Sequence, residues 1–264
     1  MENIVFEKKV SKGSRFNQIY IPREMGKIIE VGDLMQVRLL KKGSKLYYKN
    51  QKKLSEFKEY LIKKIFSNLQ EFEKINRIFI VGSFLSEVIY NDIDIIISVE
   101  NYKEKDFEKK IEKFLTKIFN QKFHILLFDE RKLENLIKID PLTRVMLNNY
   151  ISNKEGKLDY KKIINKEHIR FLLMMPEALL EINLSSKIFY NNLRRLIAIE
   201  RFLKNMELDI KNISSQVEKE LDINILDKIK GNNEINKKEI GILRKKIKRK
   251  IIDINKLIKN KEKK

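Results

Sequence analysis

The chain contains no cysteine. Disulfides, thiolate-held zinc, iron–sulfur clusters and a cysteine nucleophile are therefore excluded. The absence fits a reducing compartment, and a cytoplasmic protein is expected. Histidine is scarce too. Only His124 and His168 occur, so one chain cannot build a multi-histidine metal site. Charge interrupts every apolar run well short of the roughly 18 residues a membrane helix needs. No transmembrane helix and no membrane partner are expected. The start, MENIVFEKKV, lacks the apolar centre of a signal peptide.

What the chain has in excess is positive charge. Among 264 residues, 57 Lys and Arg stand against 37 Asp and Glu, a net +20. Such a balance points to polyanions: nucleic acid, nucleotides or an acidic partner. The bland reading is compositional, because the chain is rich in Lys, Ile and Asn, as an A+T-rich genome or a high growth temperature would produce. Position helps to weigh the two. Residues 228–264 hold 15 Lys and Arg and 4 Asp and Glu, a net +11. Apolar residues make up 42%, enough to bury real cores.

Three regions follow from the patterning. Residues 1–47 carry short strand-like runs, IVFEKKV, QIYIP and VGDLMQVRLL, punctuated by Pro22 and the Gly32-Asp33 pair. So short a unit buries too little core to stand alone and needs a partner chain. Residues 50–152 alternate helix and strand. Leu54, Phe57, Leu61, Ile65 and Leu69 step as an amphipathic helix, and Phe107, Ile111, Phe114 and Ile118 form another. RIFIV (77–81), DIDIIISV (92–99) and KFHILLF (122–128) read as strands. Residues 160–264 read as all helix. A break or helix start is expected at Pro176. Residues 185–205 form a helix with Ser185 or Ser186 as N-cap. Ile240, Leu243, Ile247, Ile251, Ile254 and Ile258 mark a final packed helix. The fold class is α+β and multidomain: a small β domain, a central mixed-sheet α/β domain and a helical bundle.

The chemistry concentrates in Val81-Gly82-Ser83-Phe84 and Asn91-Asp92-Ile93-Asp94. Residues i and i+2 of a strand share a face. Asp92 and Asp94 therefore project side by side, while Ile93 and Ile95 enter the core. Paired carboxylates repel unless a cation sits between them. Mg²⁺ is the hard ion that bridges carboxylates to substrate phosphates. Gly82-Ser83 lets backbone N–H groups and a hydroxyl approach a phosphate. The link from Gly82 to Asp92 is too short for a comfortable parallel crossover. Strands 77–81 and 92–99 are thus expected to run antiparallel, which sets Gly-Ser beside Asp-x-Asp.

The stretch VGSF…NDIDIII resembles the signature of the polymerase-β-like nucleotidyltransferase superfamily. That resemblance implies a Mg²⁺-dependent transferase moving NMP from an NTP to a hydroxyl on RNA, protein or a small molecule. It implies that Gly82 and Ser83 hold the triphosphate and that Asp92 and Asp94 hold metal. The family's third carboxylate, on the strand at 122–128, is missing, and so is its basic residue soon after Gly-Ser. His124 stands on the polar phase of that strand as a ligand or base, with Asp129 and Glu130 only at its end. The alternative is a non-catalytic dimeric nucleic-acid-binding regulator with a degenerate site.

The first region has its own resemblance. Val10-Ser11-Lys12-Gly13-Ser14-Arg15, Gln18-Ile19-Tyr20-Ile21-Pro22-Arg23-Glu24 and Val31-Gly32-Asp33-Leu34 look like the AbrB/MazE-type swapped-hairpin domain. The resemblance implies a homodimer and DNA contact through Lys12, Arg15 and Arg23. A face formed by Arg244, Lys245, Lys248 and Arg249 is a second candidate contact with DNA or RNA, against the reading of a solvated face. In the helical region, Arg194, Arg195, Glu200 and Arg201 read either as ion pairing along a helix or as a substrate-binding face. His168 has no Arg four to six residues upstream, so the RNA-cleaving pattern of some helical partners is not expected.

Overall fold

The computed structural model describes residues 6–37, 43–51, 54–100, 106–156, 158–182, 185–231, 233 and 235–260. It divides into two units, residues 1–42 and 43–264. The first unit holds a short antiparallel hairpin, β1 (Ser11–Lys12) and β2 (Asn17–Gln18), and a 3₁₀ turn at Arg23–Lys27. Pro22 starts that turn, consistent with its fixed φ. None of the described residues of this unit is buried. The expected strand runs are not borne out where they are described: residues 6–10, 19–22 and 31–37 form no strand, and residues 4, 5 and 38–40 lie outside the described residues.

The second unit begins earlier than the patterning suggests. Residues 43–47, grouped by sequence with the first region, belong to it because β3 (Tyr47–Lys49) pairs with a strand a hundred residues later. Next come α1 (Glu56–Leu69), β4 (Ile75–Val81), α2 (Ser83–Ser86), β5 (Ile93–Val99), α3 (Phe107–Phe119) and β6 (Phe123–Asp129). This is the helix–strand alternation that the periodicity predicts. Ser55 caps α1 by accepting from the Lys58 N–H. Phe57 nevertheless faces solvent, and α1 buries Leu61, Ile62, Ile65, Phe66 and Leu69.

Three further elements escaped the pattern: α4 (Glu130–Ile139), α5 (Pro141–Met146) and β7 (Tyr150–Ser152). α5 and β7 are too short to show a period, whereas α4 carries one in Leu133 and Ile137, four residues apart. The five-stranded sheet has the order β3-β7-β4-β5-β6. Strands β4 and β5 are antiparallel, and β5 and β6 are parallel, joined through α3. One sheet face buries Ile78, Ile80, Ile93, Ile95 and Ile97 under α1 and α3. The other buries Phe79, Val81 and Ile96 against Leu133, Ile137 and Leu147.

The bundle comprises α6 (Lys166–Ala178), α7 (Ser186–Leu203), α8 (Ile210–Glu220), α9 (Ile223–Lys230) and α10 (Lys237–Asn260). Pro176 does not start a helix. It lies in the last turn of α6, which ends two residues later. Ser185 takes the cap position of α7 with extended dihedrals but makes no side-chain cap bond. The Leu243, Ile247, Ile251, Ile254 and Ile258 stripe is buried against α6 and α7. The sheet and bundle regions are thus one compact unit. Among the described residues, no helix is long and apolar enough to cross a membrane.

Candidate functional site

The antiparallel pairing of β4 and β5 sets Val81 opposite Asp94. The next residue, Gly82, turns the chain out of the sheet at φ +80° and ψ −162°, a region open almost only to glycine. The turn brings Gly82 against the Asp94 carboxylate. A Cβ at position 82 would lie 2.2 Å from Asp94 Oδ2. Glycine is needed here for both backbone conformation and room.

Parallel pairing of β5 and β6 sets His124 directly opposite Asp94. Asp94 Oδ1 lies 3.0 Å from His124 Nδ1, a hydrogen bond between the two side chains. The Asp94 side chain is 24% exposed and His124 is 56% exposed, so the pair is reachable from solvent. Asp92 is half-buried and immediately precedes β5. Gly82, Asp94 and His124 therefore meet at one end of the sheet, with Ser83 next to Gly82 in the chain and Asp92 two residues before Asp94.

The link between the two motifs is pinned by residues the motif does not contain. Lys58 Nζ on α1 donates to the Phe84 carbonyl at 2.5 Å and the Glu87 carbonyl at 2.6 Å. Burial pulls the Lys58 ammonium below its ordinary range, with Glu87 opposing that shift. Gln51 Nε2 donates to the Leu85 carbonyl at 3.0 Å. Tyr90 stacks edge-on against Phe84 at 4.8 Å, folding the link back on itself. Lys58 also brings a cation to the residue that follows the Gly-Ser pair. No motif spacing marks it, since it comes from another element.

Asp129 and Glu130 do not reach the site. Asp129 pairs in register with Val99, five residues along β6 from His124, about 17 Å away at strand rise. There it caps α4 through the Arg131 N–H at 3.0 Å, and Glu130 accepts from Asn76 at 2.7 Å. The next residue on the His124 face is Leu126, which packs into the apolar cluster beneath α4. Among the described residues, no group of three or more His, Asp or Glu is placed to hold a metal ion. Asp94 and His124 are joined by their own hydrogen bond, so a hard cation held here would draw most of its oxygen ligands from a bound phosphate.

The row of Asp94 continues across the sheet. Its register runs Lys49, Tyr150, Val81, Asp94, His124, so these side chains share one face. Lys49 lies three strands from Asp94, about 14 Å. It lines a cavity of roughly 400 Å³ between the sheet and the α7–α8 link, together with Arg144, Asn148, Lys162 and Glu207. Arg144 donates to the Ile137 and Tyr160 carbonyls, and Lys162 to the Phe202 carbonyl, which ties the connection before α6 to α5 and to α7.

The charged residues of α7 are engaged elsewhere. Glu200 pairs with Lys204 at 2.5 Å and with Lys250 at 2.6 Å, and Lys250 also meets Glu220 at 2.7 Å. Arg201 donates to the Glu207 carbonyl and to Gln216. Arg194 lies over the Tyr190 ring, and Arg195 beside Met175. Arg244 donates to the Ile182 carbonyl at 2.9 Å, whereas Lys245, Lys248 and Arg249 are exposed. In the first unit, Lys12, Arg15 and Arg23 are exposed. Neither a protein-family model nor a curated protein matches the chain.

Proposed function

We propose that the second unit transfers an NMP group from an NTP to a hydroxyl acceptor, with Mg²⁺ as cofactor. The observation that carries this reading is the β4–β5 junction, where Gly82 abuts the Asp94 carboxylate. Ser83 and the open Gly82 backbone receive the triphosphate. Asp92 and Asp94 would hold the metal, which would supply charge neutralisation for the leaving pyrophosphate. His124 holds Asp94 Oδ1 through Nδ1 and presents its other ring nitrogen toward the acceptor hydroxyl. Each α-labelled NTP with Mg²⁺ and RNA, protein or small-molecule acceptors tests the reading. Transfer lost in Asp92→Ala and Asp94→Ala supports it. No transfer with any acceptor, together with unchanged Mg-nucleotide binding in those variants, refutes it.

A second reading is a dimeric regulator that binds nucleic acid and no longer turns over. His124 in place of the third carboxylate favours it. So does the first unit, where ten large apolar side chains are exposed, Val31 and Leu34 fully. That much bare apolar surface calls for a second copy of the chain as cover. Sedimentation of the full chain distinguishes a dimer from a monomer. A dimer that binds nucleotide without releasing pyrophosphate selects this second reading.

A further inference from the structure

Helix α10 divides its cations between two roles. One set turns inward. Lys246 donates to the Glu220 carbonyl, Lys250 bridges Glu200 and Glu220, and Arg244 donates to the Ile182 carbonyl. The other set faces solvent: Lys237, Lys238, Lys245, Lys248, Arg249, Lys256 and Lys259. At 100° per residue, these seven fall within an arc of about 120°. At helical rise they span about 33 Å. The acids of the helix scarcely offset them. Glu239 is drawn to Lys228 at 2.7 Å, and Asp253 stands at the edge of the stripe, 3.9 Å from Lys256. The charge is therefore displayed as one straight row on a rigid support.

The chemistry of that row selects among polyanions. A helix that lies on a membrane needs a free apolar face. The apolar face of α10 is spent in the bundle core, on Leu243, Ile247, Ile251, Ile254 and Ile258. Single strands are held by aromatic platforms beside the cations. Residues 237–260 contain no aromatic, and the only large apolar side chain on the stripe is Ile252. A duplex asks for neither. It offers a phosphate about every 1.7 Å of axis and accepts a row of cations in many registers.

We infer that the outer face of α10 is a docking surface for double-stranded nucleic acid, gripped through the phosphate backbone without base reading. This goes beyond nucleotidyl transfer and does not require it. The inward lysines have no part in it, because their ammonium groups are committed to Glu200 and Glu220.

Binding of the full chain to labelled 24-base-pair DNA and RNA duplexes, and to the matching single strands, is measured across a salt series. Duplex binding is expected to fall steeply with salt. The triple variant Lys245→Gln/Lys248→Gln/Arg249→Gln removes three phosphate contacts. It should lower the magnitude of the log–log salt slope by about 2.7 and weaken binding at least about tenfold at 0.1 M salt. A charge-matched control, Lys109→Gln/Lys113→Gln/Lys117→Gln on exposed α3 positions, should change binding less than about twofold. Thermal melts of both variants establish that the fold is intact. The inference is overturned if the control weakens binding as much as the stripe variant. It is also overturned if single strands bind better than duplexes, if no salt-dependent binding occurs, or if only Lys12→Gln/Arg15→Gln/Arg23→Gln abolishes binding.

Discussion

Replacing Gly82 by alanine tests the junction on which the site is built. Two costs follow from the structure. The first is conformational, because φ +80° with ψ −162° lies where side chains are strained by about 1–3 kcal/mol. The second is steric. The new Cβ would stand 2.2 Å from Asp94 Oδ2 and 3.1 Å from its Cγ, where a normal contact is nearer 3.5 Å. Asp94 must swing by more than about 1 Å, which breaks its hydrogen bond to His124. Together the costs come to about 2–4 kcal/mol, or a fall in Tm of about 5–15 °C for a unit of this size. Gly241→Ala is the control. It lies inside α10 with no atom within 4 Å of the added Cβ, so it should stabilise by about 0.5–1 kcal/mol. In an Asp94→Ala background the clash with Oδ2 is gone and the dihedral cost remains. Gly82→Ala should then cost about 1–2 kcal/mol less, a coupling that a double-mutant cycle measures. A Gly82→Ala protein that melts within about 1 °C of wild type, and binds Mg-nucleotide as wild type does, would refute the reasoning.

The buried ion pairs of the bundle make stability pH-dependent. Burial pushes the Glu200 carboxyl up, but hydrogen bonds from Lys204 and Lys250 prevail and hold it below its ordinary 4.5. A depressed folded value gives stability above the unfolded value that is lost as pH falls through the folded one. Glu200→Gln should therefore lose about 2–3 kcal/mol at pH 7, with the gap narrowing below about pH 4.5 in urea titrations. Lys250 behaves in the opposite sense. Burial lowers its pKa, but hydrogen bonds to Glu200 and Glu220 raise it above 10.5, so its contribution fades only in strong alkali. Lys58→Met removes both donors that pin the Phe84 and Glu87 carbonyls. It should cost about 1–2 kcal/mol and speed amide exchange over residues 83–91. Leu196→Ala, at a fully buried position of α7, should cost about 2–5 kcal/mol by chemical denaturation.

Much of the site was legible because its parts are local. Gly82-Ser83 and Asp92-x-Asp94 lie within one short stretch of chain. The brevity of that link also foretells the antiparallel pairing of β4 and β5. The α10 stripe was legible for the same reason, since a period of 3.6 is written in consecutive residues. Lys58 and Gln51 were not, because they act across elements on backbone carbonyls that no side-chain pattern reports. Strands β3 and β7 were missed because three residues carry no period. Their pairing joins Tyr47 to Ser152, more than a hundred residues apart.

The absence of cysteine settled from sequence alone that no metal here rests on thiolates, and two histidines limit what imidazole could supply. Patterning settled the succession of elements, and the motif located the carboxylates. Only the tertiary structure decided which imidazole, and which acids, belong with them. Parallel pairing of β6 with β5 puts His124 opposite Asp94 and carries Asp129 and Glu130 to the far end of the sheet. Only the structure, too, sorted the cations of α10 into those buried against Glu200 and Glu220 and those left facing water. The physical reason is common to both. Periodicity fixes which way a side chain points from its own element, whereas strand register and helix packing fix what it meets.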